Sequence, residues 1–318
     1  MYSYIIRRVL IMIPMLIVIS IVLFTMSHLA PGDPFTGLMS NAARSNPDYY
    51  NNLRHIYGLD RPVYIQYFVW LKNVFQGNFG FSMQSGMPVS MLLQQTLANS
   101  LKLAVVAEII TILIGIPAGI FAARKRDTVV DYTATMFTFV SLSSPTFFVG
   151  LILIYVFAIT LNILPASGTV DASGNGGLID QLKHILLPAL TLAIIQIATY
   201  IKYMRSSMVD NMRMDFVRTA RAKGLREKTV MNKHVLRNAM IPIITLFGLD
   251  ITVFLSGAPI TEFVFTWPGV GQLGINAVIA RDYTTIMAVN VIAALAVLLG
   301  NLISDILYAV VDPRIRYD

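Results

Sequence analysis

Two carboxylates stand in runs that are otherwise hydrocarbon: Glu108 in "LAVVAEIITILIGIPAG" and Asp250 in "IPIITLFGLDITVFL". An ionisable group so placed is costly, and it faces either a bundle interior or a watery path. Glu108 and Asp250 are therefore candidate translocation-path residues, with a bond to a neighbouring helix as the competing role. Asp305, near the end of the last apolar run, reads as interfacial. Other chemistry is thinly supplied. No "GK" dipeptide occurs, which leaves no Walker A phosphate cradle. His28, His55, His184 and His234 lack the paired spacing of a metalloprotease helix, no serine sits in a nucleophile elbow, and cysteine is absent. No catalytic residue and no metal site is expected, and the chain reads as a non-enzyme.

The second stretch with chemistry is charged. Between Lys202 and Arg237, ten Lys or Arg stand against Asp210, Asp215 and Glu227. Contact with anionic lipid, at roughly 1 kcal/mol per cation, explains the charge. It does not explain the pattern of "DFVRTARAKGL", Asp215 to Leu225. Ala220 and Gly224, four apart, predict a small patch on one helix face, with Phe216 in line a turn earlier. Such a face suits docking of a helix into another protein's groove. Gly224 also suits the end of one helix before a second that starts near Arg226. DNA binding by a helix-turn-helix is set aside, because the segment is tied to apolar spans on both sides.

The elements that position these residues follow from composition. The chain is 56% hydrophobic and 13% charged, with mean hydropathy +0.67, against roughly 45–50% apolar in an average soluble domain. Six runs reach the ~20 residues that a bilayer core requires: Val9 to Leu29, Leu103 to Ala123, Ala134 to Ile159, Ile185 to Tyr203, Ala239 to Pro259 and Ile286 to Val310. They lack strand alternation, so the fold class is all-α, a polytopic membrane protein with six transmembrane helices. Its parts are residues 1–29, an N-terminal cytoplasmic segment with an uncleaved first helix; 30–102, an extracytoplasmic loop domain; 103–311, a core of five helices with the cytoplasmic segment 205–238; and the tail 312–318.

Assigning alternate sides to the connections leaves only seven of 24 Lys and Arg on one side: Arg44, Arg54, Arg61, Lys72, Lys102, Lys183 and Arg281. The positive-inside rule makes that side extracytoplasmic and puts both termini in the cytoplasm. The aromatics of "YGLDRPVYIQYFVWLKNVFQGNFG" suit either a small domain on the membrane surface or interfacial anchors. "GIPAG", Gly115 to Gly119, predicts close helix packing, with Pro117 a possible kink. "SLSSP", Ser141 to Pro145, interrupts the third run and predicts a kink eased by serine hydroxyls. "DASGNGG", Asp171 to Gly177, is an outside turn.

"RTARAKGL" followed by "VLRNAMIPIIT" resembles the cytoplasmic coupling motif of ABC importer permeases, specifically the B-type membrane subunit of the dipeptide and oligopeptide permeases. The resemblance runs along most of the chain, through "YIIRRVL", "APGDPF", "YGLDRP", "GNFGFS", "LANSLKLA" and "TEFVFTWPGVGQLG" (Thr261 to Gly274). It implies a type I ABC importer fold with a cytoplasmic coupling helix, in a cell (plasma or inner) membrane and in contact with lipid. It further implies a second homologous permease subunit, two ATP-binding cassette subunits that hold ATP and Mg, an extracytoplasmic solute-binding protein and a peptide substrate. This chain would then carry no cofactor and bind no nucleic acid.

In the general importer motif, Glu-Ala-Ala is followed by three residues and Gly. The matching positions here are Arg218, Thr219, Ala220 and Gly224, and the first two depart from it. With Phe216 and Arg221 these are the implied ATPase-coupling residues, Ala220 and Gly224 allowing close seating while Arg218 and Arg221 meet acidic groove residues. Trp267, with Pro268, is implied to shape a re-entrant segment near the outer mouth of the path, with interfacial anchoring of the same stretch an equal alternative. Related subunits serve nickel or glutathione. An ion-coupled secondary transporter using Glu108 and Asp250 is the alternative from another class; inverted repeats would mark it, and none is visible.

Overall fold

The structure is a computed structural model that describes residues 2–29, 55, 60–171, 176–255 and 257–311. The rest of the expected outer loop (30–54 and 56–59), residues 172–175 of the outside turn and the tail 312–318 lie outside the described residues, as do Arg44, Arg54, Arg314 and Arg316.

The described chain is helical, with a single isolated bridge between Phe81 and Pro88. Its helices are α1 (Tyr2–Leu29), α2 (Val63–Phe75), α3 (Val89–Arg124), α4 (Val129–Ser143), α5 (Thr146–Leu153), α6 (Leu178–Met212), α7 (Asp215–Ala222), α8 (Leu236–Leu255), α9 (Pro259–Val264), α10 (Val270–Ala280) and α11 (Tyr283–Val311). Two π-helical stretches extend them: Ile154–Thr160 follows α5, and Val230–Val235 feeds α8. Among the described residues five helices are long and apolar enough to cross a membrane, and the count is six if one bent pair is a single span.

That bent pair corrects the expected third span. The run from Ala134 to Ile159 is two helices at 108° rather than one kinked helix. Pro145 has no N–H, and its ring drives the preceding residue out of the α region; Ser144 is accordingly extended, with ψ 131. The freed carbonyls are not left bare. Ser144 N–H bonds to the Ser141 carbonyl at 3.3 Å, and its hydroxyl donates to the Val140 carbonyl at 2.8 Å. Two other boundaries differ: α3 begins at Val89, inside the stretch expected as outer loop, and Pro259 opens a separate helix instead of closing the fifth span.

Small residues set the packing. The two most extensive helix pairings are α3 with α6 and α8 with α11. A Cβ at Gly115 would sit 2.8 Å from Tyr200 Cβ, and one at Gly119 2.7 Å from Met204 Cβ, so these glycines let α3 and α6 approach to backbone distance. The second pair uses one glycine from each helix: Gly248 lies against Ser304, and Gly300 against Thr252. Without a hydrophobic drive between helices in lipid, such contact supplies the dispersion energy that holds the pair.

The remaining elements attach to these pairs. α1 lies on α11, with Arg8 3.2 Å from Asp305, so the interfacial aspartate has a cation. α2 lies against the C-terminal half of α1: Tyr67 hydroxyl is 2.8 Å from that of Ser20, and the Tyr67 and Trp70 rings pack on buried Phe24. Tyr64, Phe68 and Phe75 of α2 stay exposed. The aromatics therefore divide between packing on α1 and an outward face. Near the far end of α6, Arg205 grips buried Asp131 of α4 with two nitrogens.

Candidate functional site

The charged stretch folds as an amphipathic helix lying outside the bundle. α7 starts at Asp215, whose negative charge suits the positive end of the helix dipole. Val217 and Ala220, three apart, turn inward and share an apolar cluster with Met204 and Met208 of α6 and with Val230, Met231 and Val235. Val217 is completely buried, which is worth about 1.5 kcal/mol. Phe216, Arg218, Thr219, Arg221 and Lys223 remain exposed.

The structure corrects the expected role of Ala220. At 5% exposure it seats α7 on its own chain and offers no surface to a partner. Phe216 and Ala220 are consequently not one docking patch. Gly224 has a different reason to be glycine. Its φ is +72°, its N–H bonds to the Arg221 carbonyl at 2.9 Å, and Leu225 N–H reaches the Ala220 carbonyl at 3.4 Å. That pair of bonds is a Schellman stop, with glycine in the left-handed position. A Cβ there would meet nothing within 4 Å, so Gly224 remains open to an approaching surface.

The two implied arginines also differ. Arg221 reaches across the turn to Glu227 with two hydrogen bonds, of 3.1 and 2.7 Å. That hydrogen bond holds the Glu227 carboxyl below the usual glutamate range. Arg218 makes only a long 3.4 Å contact with exposed Asp215. Of the two, Arg218 presents the more available charge.

Glu108 and Asp250, distant in sequence, are brought together between α3, α6 and α8. Tyr200 Oη lies 3.0 Å from Glu108 Oε1 and 2.8 Å from Asp250 Oδ2. The Gln196 amide donates to Asp250 Oδ1. Both carboxylates are buried at 9% exposure or less, so the competing interhelical role expected from the sequence is realised in this conformation. Tyr200 and Gln196 were not singled out from the sequence; the available signal is two polar residues one turn apart in the apolar α6.

Trp267 also differs from expectation. Its ring packs among Leu103, Ala107, Ile185 and Ala189, and its indole N–H donates to the Asn99 carbonyl at 3.1 Å. At 4% exposure it is a core residue and lines no passage within this chain. What the sequence did not reveal is its neighbour Glu262, 1% exposed. Ser100 hydroxyl donates to Glu262 Oε1 at 2.7 Å and accepts Val270 N–H at 2.9 Å, while Gln272 N–H donates to Oε2 at 3.0 Å. With Asn99 Nδ2 donating to the Pro268 carbonyl, these bonds clamp the α9–α10 connection onto α3. A Cβ at Gly269 would sit 2.4 Å from the Glu262 carboxyl carbon, so a residue without a side chain is required there. A groove of about 340 Å³ opens beside this clamp between α10 and α11, lined by Val270, Gly274, Val278, Val289 and Asn290 among others.

Of the four histidines, His184 has two aspartates beside it. Buried His184 has Nδ1 3.2 Å from Asp180 Oδ1 and Nε2 3.8 Å from Asp171 Oδ1. Asp180 also accepts Asp171 N–H at 2.9 Å, so the trio fastens the start of α6 to the preceding turn.

These features define a polytopic helical membrane component with a helix displayed outside its bundle. The profile described as "Binding-protein-dependent transport system inner membrane component" matches residues 115–317, and that of the corresponding N-terminal region matches residues 1–104. The chain belongs to this family of ABC importer permease subunits. It is 44% identical to the oligopeptide transport system permease protein AppB of Bacillus subtilis (strain 168), over 100% of both chains. It is 36% identical to the dipeptide transport system permease protein DppB of Escherichia coli (strain K12), over 100% of this chain and 99% of the relative. The glutathione transport system permease protein GsiC of Escherichia coli O1:K1 / APEC is 37% identical over 100% of both.

Proposed function

We propose that this chain is one of two homologous membrane subunits of an ATP-driven importer of oligopeptides or dipeptides. The observation that carries the reading is α7, whose inner face is packed and whose outer face is displayed, in a chain of this family. Phe216, Arg218, Thr219 and Gly224 form the face presented to an ATP-binding subunit, and Arg221 braces the turn through Glu227. ATP and Mg²⁺ belong to two such partner subunits. Because Val217 and Ala220 fasten α7 to α6 and to the π-helical entrance of α8, a displacement of α7 passes to both helix pairs, which reorient as near-rigid bodies. The excess of Lys and Arg on one side supports a cytoplasmic α7 and cytoplasmic termini. A solute-binding protein delivers substrate at the opposite face, and the path lies between this chain and the second permease subunit.

Peptide as substrate is supported by the names of the relatives, among which a glutathione permease stands at similar identity. The test is reconstitution of the chain with its second permease, ATPase subunits and binding protein in proteoliposomes. Labelled di- and oligopeptides are expected to accumulate with ATP. Accumulation of glutathione or Ni²⁺ but of no peptide would overturn the substrate assignment.

A further inference from the structure

The Glu108–Tyr200–Asp250 cluster is short of one proton. Tyr200 Oη stands within hydrogen-bond distance of both carboxyl groups. A phenol has one proton to donate, so a single hydroxyl cannot satisfy two carboxylates at once. Asp250 has a second donor in Gln196. When Tyr200 also donates to it, each Asp250 oxygen has a partner, an arrangement that suits a carboxylate. Glu108 has no such supply. Its Oε2 is the buried side-chain oxygen without a hydrogen-bond partner among the described residues. A buried carboxylate left unpaired is heavily disfavoured, and a second carboxylate across one hydroxyl adds repulsion.

One added proton relieves the charge and the donor shortage, and leaves Oε2 as the oxygen of a neutral acid, whose burial without a partner costs far less than that of a carboxylate. Carried on Glu108, it removes the second negative charge and supplies the missing donor, so that Glu108 O–H donates to Tyr200 Oη while Tyr200 donates to Asp250. A metal ion does not fit this arrangement, because the point where the two carboxyl groups converge is filled by the Tyr200 hydroxyl.

We propose that Glu108, Tyr200 and Asp250 form a proton-binding site in which Glu108 holds one proton while α8 lies against α3 and α6. The site has a mechanical position as well. Gln196 and Tyr200, a helical turn apart on α6, both hold Asp250 on α8, so the bonds cross the seam between the α3–α6 pair and the α8–α11 pair. Separation of the pairs removes both donors from Asp250, takes its negative charge from the site, and leaves the Tyr200 O–H free to donate to Glu108 on the neighbouring α3. The proton is thereby a ligand of the closed seam. Its presence does not depend on which substrate is carried.

Infrared spectroscopy of the assembled complex in lipid nanodiscs at neutral pH tests this. The expected result is a C=O band of a protonated carboxylic acid that shifts in heavy water and is lost in Glu108→Gln. Glu108→Gln keeps an N–H donor for Tyr200, so the complex is expected to assemble normally. Identical wild-type and Glu108→Gln spectra in this region would overturn the proposal. A band lost in Asp250→Asn but kept in Glu108→Gln would overturn it too, by putting the proton on Asp250. If Glu108→Gln does not assemble, Tyr200→Phe serves: a shifted band is expected because the acid loses its acceptor, and an unmoved band contradicts the site.

Discussion

Substitution of Gly224 separates two roles that the sequence alone merges, the stop of α7 and the seating of a partner. Its φ of +72° disfavours any L side chain, by about 1–2 kcal/mol for Ala or Leu and less for Asn. Since 1.4 kcal/mol is about tenfold in an equilibrium, Gly224→Ala shifts the fraction of chains with a properly ended α7 by roughly tenfold. The penalty is local, because a Cβ at 224 meets nothing within 4 Å of this chain. Thermal unfolding of the membrane complex is therefore expected to change by only about 2–4 °C per kcal/mol. Gly224→Asn, tolerant of the left-handed conformation, isolates the turn; Gly224→Leu adds bulk to the open surface. Pull-down of the ATPase subunits with the purified permease pair is the assay. The account predicts substantial retention with Asn and loss with Leu, at nearly equal thermal stability. ATPase retention and transport at wild-type level with Leu would refute the seating role.

Further expectations follow from single contacts. Gly119→Ala places Cβ 2.7 Å from Met204 Cβ and 3.0 Å from the Ile201 carbonyl, and overpacking of the α3–α6 contact is expected to cost about 1–3 kcal/mol, read as a lower Tm of the complex. Glu262→Ala strands the Ser100 hydroxyl and the Gln272 N–H, each costing about 1–3 kcal/mol, and the loss should exceed that of Glu262→Gln in the same measurement. The Glu227 carboxyl is held low by Arg221, so their contact is complete above the ordinary glutamate range and is lost as pH falls through and below it. Both groups are well exposed, so Glu227→Gln at neutral pH is expected to change thermal stability by less than about 1 kcal/mol.

The spans were legible because a run of apolar residues long enough to cross a bilayer has few other uses, and the glycines of "GIPAG" announced the close approach of α3 to α6. The 108° bend at Pro145 was legible only as a kink: proline fixes where a helix breaks, while neighbouring packing fixes the angle. Ala220 shows a subtler limit. Amphipathic spacing marks a small face on α7 without saying whether that face meets the same chain or another, and here Met204, Met208 and Val230 claim it. Glu262 escaped notice because it lies in a short connection, where a carboxylate looks ordinary. Its burial arises from tertiary partners on α3, Ser100 above all, that are distant in sequence. Asp250 and Glu108 were recognisable as costly, yet their partner Tyr200 was one tyrosine among 14.

The central claim, that this chain converts work done by ATPase subunits into import, is tested most directly by the energy source for peptide accumulation in proteoliposomes holding the complete complex and its binding protein. The account predicts accumulation that requires ATP and survives collapse of the proton gradient. Accumulation by the permease pair alone, driven by an imposed proton gradient without ATPase subunits, would contradict it.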